Sequence, residues 1–139
     1  MIQFREVRYV SLGIDRDPAS VYAFASQPEN LPLWAAGLGQ GVTRAGDNWE
    51  VQTDQGRLVL RFTPQNPYGV MDHTVAIPGA EVFVPFRVVP NGSGSEVVLT
   101  LFRQPQMDDA AFERDAALML ADLKALKKRL EDAEGREGK

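Results

Sequence analysis

The chain has 139 residues, one histidine and no cysteine, with a formal net charge of −4 and a pI of about 5.0. Its length fits a single domain whose core needs neither a disulfide nor a metal for stability. The lack of cysteine excludes disulfides, thiolate metal sites and cysteine nucleophiles, and the acidic balance argues against nucleic-acid binding, which depends on clustered positive charge.

The first third of the sequence predicts one strand followed by two short helices. Val10, Leu12 and Ile14 alternate with polar or small residues, which is typical of a strand within residues 2–14. Asp17 and Pro18 then begin a helix, because aspartate accepts hydrogen bonds from free backbone N–H groups and proline is well suited to the first helical position. The segment QPENLPLWAAG predicts a second short helix that ends at Gly37.

Between residues 41 and 103, short alternating runs are separated by turn residues. This pattern predicts about six antiparallel strands joined by short connections. The segment NGSGS (91–95) is a strong hairpin signal because Asn-Gly favours a tight turn. Pro85 predicts a bulge or a sheet edge, since proline has no N–H to donate to a neighbouring strand.

Residues 108 to 133 predict one long amphipathic helix. Aspartates at its start and basic residues near its end complement the helix dipole. Its apolar stripe contains Phe112, Ala116, Met119, Leu120, Leu123, Leu126 and Leu130. The order of elements predicts an α+β fold in which this helix covers one face of an antiparallel sheet, with a single domain over residues 1–134 and a frayed tail at 135–139.

The only histidine, His73, lies in the alternating stretch GVMDHTVA. A period of two places it on one face with Met71 and Val75, opposite Asp72 and Thr74, so no direct Asp–His pair is expected. The same alternation over the other strands predicts a nearly acid-free concave face with His73 and Thr53 as its only polar members. Such a face suits an apolar ligand that one or two polar groups orient, although a hydrogen-bonded core histidine gives the same pattern.

The other motifs in the sequence give weaker indications of function. GLGQG (37–41) is similar to part of a dinucleotide-binding fingerprint, but it lacks the third glycine and precedes a strand. One histidine without cysteine makes a typical zinc site improbable, and we expect neither a metal nor a cofactor. Ala110, Ala117 and Ala121, with Leu118 nearby, form a small-residue surface that is a candidate homodimer contact.

Membrane insertion is not expected from the sequence. No apolar run approaches the roughly 18 residues that span a bilayer, and the N-terminal segment MIQFREVRYV lacks the apolar core of a signal peptide. We therefore expect a cytoplasmic protein.

Two segments carry a resemblance to a known family: SVYAFASQPENLPLWAAGL after the first strand and PQMDDAAFERDAALMLADLKALKKRLE at the end. With the order of elements, they resemble the START-related SRPBCC superfamily, which includes polyketide cyclase/dehydrase-like proteins. The resemblance covers nearly the whole chain. It implies a helix-grip fold, in which a curved antiparallel sheet of about seven strands wraps around the C-terminal helix and leaves an elongated apolar cavity. Members bind lipids, sterols, hormones or polyketides, and some catalyse cyclisation or dehydration.

Three functions fit these observations, and the acid-poor inner face favours the first. It is non-catalytic binding of an apolar or aromatic small molecule, lipid- or polyketide-like, by Trp34, Thr53, Phe62, Met71, His73, Phe86, Phe112, Met119 and Leu123. The second is a cyclase/dehydratase-type enzyme in which His73 is the candidate catalytic residue for proton transfer beside a carbonyl, assisted by Tyr22 or Tyr68. The third is a protein-partner module whose cavity has no function. No catalytic signature of the superfamily can be placed on this sequence.

Overall fold

The elements of the fold follow the predicted order. A computed structural model of the protein describes residues 4–35, 41–53 and 56–137. Its elements are β1 (Val7–Ile14), α1 (Pro18–Ala25), a 3-10 turn (Pro28–Asn30), α2 (Leu31–Trp34), β2 (Thr43–Ala45), β3 (Asn48–Thr53), β4 (Gly56–Phe62), β5 (His73–Ile77), β6 (Ala80–Val84), β7 (Phe86–Asn91), β8 (Gly94–Phe102) and α3 (Asp109–Glu137). Antiparallel strands curve around the long helix, so the predicted helix-grip arrangement is confirmed.

The strands form two antiparallel sheets that meet at Pro85. One sheet has the order β1-β8-β7 and the other the order β2-β3-β4-β5-β6. Only Pro85 separates β6 from β7, and because proline has no N–H, the strand pairing is interrupted there and the chain passes from one sheet to the other. The predicted irregularity at Pro85 is thus the boundary between the sheets, and the described chain contains more strands than the expected seven.

The start of α1 follows the predicted capping. The carboxylate of Asp17 accepts a hydrogen bond from the backbone N–H of Ser20 at 3.0 Å, and Pro18 occupies the first helical position. The next helix, α2, ends at Trp34, three residues before the predicted end at Gly37. Gly37 and the next three residues of the rejected GLGQG motif lie outside the described residues.

One stripe of α3 is buried against the sheets. Its buried members are Phe112, Ala116, Leu123, Leu126 and Leu130, which confirms the predicted apolar face. Polar contacts join the helix to β1 and the residues after it: Glu113 pairs with Arg8, and the Lys127 Nζ donates to the carbonyl of Gly13 at 2.8 Å. The helix continues to Glu137, beyond the predicted end at residue 133. In the described part of the chain, no helix combines the length and apolar character needed to cross a membrane.

The predicted alternation of inward and outward side chains holds through most strands. The buried inward residues include Val51, Leu60, Met71, Val84, Phe86, Val88, Val97, Leu99 and Leu101. The alternation continues through Pro85 without a shift, because Val84 and Phe86 flank it and are both buried. Phe62 and His73 are therefore placed on the face that lines the interior.

Candidate functional site

A small cavity lies where α1 and α2 face the sheets. Its volume is about 20 Å³. It is lined by Ala25, Ser26, Leu31, Trp34, Phe62, Thr63, Val70, Met71, His73 and Phe86. Five residues that the sequence predicts for ligand binding are thus brought together: Trp34, Phe62, Met71, His73 and Phe86.

Strand pairing places His73 on one wall of the cavity. It lies opposite Phe62 on β4 and opposite Val84 on β6, and because directly paired residues of antiparallel strands share a face, these side chains point the same way. The centroid of the imidazole ring is 5.3 Å from that of Phe62. His73 is consequently packed against an aromatic ring within the sheet.

Trp34 reaches the same cavity from α2. It is 7% exposed, and its ring centroid is 5.9 Å from that of Phe86 at the start of β7. The sequence leaves open whether Trp34 borders a cavity or attaches its helix to the sheet. The structure places it both against the sheet and in the cavity wall.

His73 presents a hydrogen-bond acceptor to its surroundings. Its Nδ1 lies 3.1 Å from the carbonyl oxygen of Met71. A carbonyl only accepts, so Nδ1 carries the hydrogen and, in the neutral ring, the lone pair is on Nε2. Burial lowers the pKa of His73 below its ordinary 6.5, against the opposing effects of the Met71 carbonyl and the Asp72 charge. The ring is therefore neutral at pH 7.

The indole N–H of Trp34 is a buried donor. Among the described residues, none accepts a hydrogen bond from its Nε1. Buried side-chain N–H groups are nearly always hydrogen-bonded to protein or water, because an unpaired one loses its hydration without compensation. An oxygen or nitrogen atom from outside the described chain would satisfy it.

Asp72 lies on the face opposite His73, as the alternation predicts, but its side chain is buried there. Its side chain is 11% exposed, and its carboxylate accepts hydrogen bonds from the backbone N–H of Phe86 and from the guanidinium of Arg87, each at 2.8 Å. The reason is the break at Pro85: Phe86 donates its N–H to this side chain where the strand leaves one sheet for the other. As expected, the acid is directed away from a pair with His73.

Asp72 remains ionised near neutral pH. Burial alone would raise its pKa, but the hydrogen bonds from Arg87 and from the N–H of Phe86 outweigh that effect and hold the pKa below its usual value. The negative charge next to His73 is thus already neutralised by Arg87.

A tight backbone approach at Gly69 fixes the segment that leads into His73. The carbonyl of Gly69 accepts a hydrogen bond from the N–H of Val88 at 3.0 Å, and the N–H of Met71 donates to the carbonyl of Phe86 at 2.8 Å. Gly69 has a φ of +73°, and a Cβ there would lie 2.5 Å from the carbonyl oxygen of Val88. Only glycine permits this approach, which holds Met71 and His73 beside β7.

Four residues predicted for ligand binding lie away from the cavity lining. Phe112 and Leu123 are buried in the core, and Met119 is partly buried against it. The hydroxyl of Thr53 donates to the carbonyl of Gly56 at 2.7 Å, at the turn between β3 and β4. The apolar stripe and strand parity that suggested these residues indicate burial, and burial does not by itself indicate a cavity.

The two tyrosines considered for assisting His73 also lie outside the cavity lining. Tyr68 is exposed, and the hydroxyl of Tyr22 accepts a hydrogen bond from the backbone N–H of Asn66 at 2.9 Å. Within the described residues, no group of three or more histidine, aspartate or glutamate side chains could hold a metal ion.

Sequence reasoning missed several lining residues: Ala25, Ser26, Leu31, Thr63 and Val70. Ala25 and Leu31 could be found from the buried sides of two short helices. Thr63 and Val70 lie beyond the ends of strands, where alternation no longer predicts the direction of a side chain.

Larger depressions exist on the surface, and one of about 520 Å³ lies beside Phe4 and Arg103. The guanidinium of Arg103 is already paired with Glu6 and Asp109 and donates to the carbonyl of Met107 at 3.2 Å. Because its principal charged group is satisfied and none of the predicted residues lies there, we place the candidate site at the interior cavity.

Comparisons with known proteins give the fold. No protein-family model matches the chain, and no curated protein matches it. XoxI from Bacillus cereus shares 17% identity and a TM-score of 0.74 over 92% of this chain and 97% of that one. The Aha1 dimer from Colwellia psychrerythraea shares 15% identity and a TM-score of 0.73 over 91% and 96% of the two chains.

A third solved structure is DynU16, a protein of the dynemicin biosynthetic locus. It shares 14% identity and a TM-score of 0.69 over 90% of this chain, which spans 47% of the DynU16 chain. At these identities, the similarity shows a common fold and agrees with the helix-grip arrangement.

Proposed function

We propose that the protein binds a small apolar or aromatic molecule, lipid- or polyketide-like, in the interior beneath α1 and α2, without transforming it. One observation carries this proposal: the cavity is lined mainly by apolar side chains, together with Trp34, whose indole N–H is a buried donor, and His73, whose Nε2 is an acceptor. Ligand sites are typically apolar with a few polar groups that fix orientation. We restrict the proposed site to Trp34, Phe62, Met71, His73 and Phe86.

Binding requires the cavity to enlarge. A volume of about 20 Å³ holds one water molecule, whereas sites for drug-sized ligands measure roughly 300–1,000 Å³. Two features favour enlargement. Met71 has a flexible side chain that repacks readily, and α2 has only four residues and no side-chain cap. Displacing Trp34 from Phe86 would therefore break few hydrogen bonds.

The comparisons support a small molecule as the partner. DynU16 comes from a biosynthetic locus, and the resemblance of this sequence to the SRPBCC superfamily implies binding of lipids or polyketides. A cytoplasmic location stays a prediction from the sequence.

A second candidate is a cyclase/dehydratase-type enzyme. It is favoured by the neutral Nε2 of His73, which could accept a proton from a carbon beside a carbonyl. Such chemistry also needs a group that stabilises the developing negative charge. The hydroxyl of Thr63 already donates to the carbonyl of Asp72 at 2.7 Å, which leaves the Trp34 N–H and the Ser26 hydroxyl for that task. We place this function second because two neutral donors make only a modest oxyanion site.

Fluorescence of Trp34 tests the proposal directly. The chain has two tryptophans, so in a Trp49→Phe protein the signal reports Trp34 alone. We expect naphthalene, 2-naphthol or an anthraquinone to change this fluorescence and raise Tm, because a ligand that binds only the folded state stabilises it by about 2.7 kcal/mol at 100 times Kd. Recovery of unchanged ligand after hours, measured by mass spectrometry, supports binding, and loss of ligand supports the enzyme.

Two variants locate the binding. Ala25→Leu fills the cavity and should abolish the response, whereas Phe4→Ala alters the surface depression beside Arg103 and should leave it unchanged. The reverse result would place the ligand on the surface and contradict the proposed site. A panel without any binder would favour the protein-partner module.

A homodimer through α3 is a separate proposal. Ala110, Ala117, Leu118 and Ala121 are exposed on that helix, and the Aha1 protein of similar fold is a dimer. Sedimentation of the wild type and Leu118→Asp would test it. A dimer that the aspartate dissociates supports this contact, and a monomer at all concentrations contradicts it.

A further inference from the structure

Two side chains that line the cavity, Trp34 and His73, have complementary hydrogen-bonding roles. The Nε1 of Trp34 can only donate, and it donates to no residue in the described chain. The Nε2 of His73 can only accept while the ring is neutral, because Nδ1 holds the hydrogen for the carbonyl of Met71. A single group that accepts from one and donates to the other would satisfy both.

The size of the cavity limits that group to one non-hydrogen atom in the ligand-free protein. About 20 Å³ slightly exceeds the roughly 10–15 Å³ that a water molecule needs, and a buried water needs two or more polar partners. Trp34 and His73 both line this one small space.

We infer that Trp34 and His73 together recognise one hydroxyl oxygen, which accepts from the indole N–H and donates to the imidazole Nε2. A water molecule takes this place in the free protein, and the hydroxyl of a phenol or alcohol replaces it in the complex. The recognition of a ligand hydroxyl deepens the proposed function and rests on it. The water molecule in the free protein does not depend on the proposed function.

This pairing selects among ligands with the same apolar framework. A ketone or ether accepts from Trp34 but leaves the Nε2 of His73 unpaired. A carboxylate brings a negative charge against the Nε2 lone pair, and no cationic side chain is among the described lining residues. Arg61 and Arg87, which are next to Phe62 and Phe86 in the chain, already pair with Glu81 and Asp72. The preferred ligand class is therefore a neutral phenol or alcohol on an apolar framework.

Naphthalene, 2-naphthol and 2-naphthoate test the preference for a hydroxyl group, with the wild-type protein at pH 7.5. Calorimetry should give 2-naphthol a Kd about tenfold lower than naphthalene, since one buried neutral hydrogen-bonding group contributes about that factor, and 2-naphthoate should bind more weakly than 2-naphthol. The phenol remains neutral at this pH. Equal Kd values for naphthol and naphthalene, or tightest binding of naphthoate, would overturn the hydroxyl assignment while leaving the apolar site intact.

The variant His73→Asn tests the contribution of the Nε2 atom to ligand preference. His73→Asn keeps an N–H that can donate to the carbonyl of Met71 and removes the acceptor at the Nε2 position. The ratio of the naphthalene Kd to the naphthol Kd should fall to less than threefold in this variant, whatever the change in the affinity for naphthalene itself. A preference that survives the substitution contradicts the role of His73. If none of the three compounds binds the wild type, the proposed function and the hydroxyl preference both fail.

NMR of the ligand-free protein tests whether a water molecule bridges Trp34 and His73, independently of any ligand. The nitrogen shifts of the single histidine should show hydrogen on Nδ1, and the indole hydrogen of Trp34, assigned with Trp49→Phe, should show a cross-peak to a long-lived water. In His73→Asn this cross-peak should weaken or disappear. A histidine protonated at Nε2, or a Trp34 indole without a water contact, would overturn the shared oxygen even if ligands bind.

Discussion

The carboxylate of Asp72 and the guanidinium of Arg87 form a two-point contact at the junction of the two sheets. Arg87 donates through Nε at 3.3 Å and through Nη2 at 2.8 Å, while the N–H of Phe86 donates to the same carboxylate at 2.8 Å. This contact replaces, at the break beside Pro85, a hydrogen bond that a continuous ladder would supply. It also holds the residue that precedes His73.

Substitution of Asp72 should therefore be costly. Asp72→Asn keeps an acceptor for the Phe86 N–H and should lower the free energy of unfolding by about 1 kcal/mol, and Asp72→Ala, which leaves that buried N–H unpaired, by about 2–3 kcal/mol. Urea unfolding measures both. Glu81→Ala, which removes the exposed partner of Arg61, is the control and should change stability by less than about 0.5 kcal/mol. Equal effects at the two sites would contradict the role of the junction.

Stability should fall as the pH drops below the ordinary pKa of histidine. The folded state lowers the pKa of His73 below 6.5, so between the two pKa values the unfolded chain binds more protons than the folded one. Stability is thus fully present above pH 6.5 and is lost as the pH falls through the folded pKa, at up to about 1.4 kcal/mol per pH unit.

Urea unfolding between pH 8 and pH 5 measures this dependence. His73 is the chain's single imidazole, so His73→Phe should remove the slope in this range, above the pH at which most carboxylates titrate. A wild type with no slope, or a variant that keeps it, would show that the ring titrates alike in both states.

Gly69 should be intolerant of any side chain. Gly69→Ala combines a positive φ with a Cβ 2.5 Å from the carbonyl oxygen of Val88, and we expect a loss of more than about 3 kcal/mol. Gly79 has a similar φ of +81°, but a Cβ there would meet no atom within 4 Å, so Gly79→Ala should cost only about 1–2 kcal/mol. The difference between the two, measured by thermal unfolding, isolates the close approach from backbone strain.

Leu123 should behave as a core residue. Its side chain is fully buried, and Leu123→Ala should cost about 2–5 kcal/mol. Leu118 is 58% exposed on the same helix, and Leu118→Ala should change stability by less than about 0.5 kcal/mol. If Leu123→Ala instead left stability intact and altered ligand binding alone, Leu123 would belong to the site as the sequence predicts.

Much of the fold follows from the sequence because its signals are local. Asp17 and Pro18 begin a helix through contacts within one turn, and the alternation in β4 to β8 needs only neighbouring residues to predict the inward face. Pro85 by itself predicts an interruption of strand pairing, because proline has no N–H to donate. That it separates two sheets depends on where β8 and the segment after Gly69 lie, which the residues around Pro85 do not encode.

The site is less predictable because it depends on contacts between distant segments. Parity places Phe62, Met71, His73 and Phe86 on one face, but Trp34 reaches them only through the packing of α2. Asp72 appears outward from alternation, yet a partner fifteen positions later along the chain buries it. The volume of the cavity depends on the fit of all these side chains, which a pattern of inward residues does not determine.

The attachment of α3 to β1 should make these two elements less mobile than the region around the cavity. Glu113 with Arg8, and Lys127 with Gly13, fasten the helix near both of its ends. The cavity lies under α2, which also packs against α3, so a local opening around Trp34 would separate α2 from α3 while the polar contacts hold α3 on β1. In hydrogen–deuterium exchange, amides near Trp34 would then exchange through low-energy fluctuations, and those of β1 only on global unfolding. The part formed by β1 and α3 would thus stay rigid, and the part around Trp34 would open to let a ligand enter.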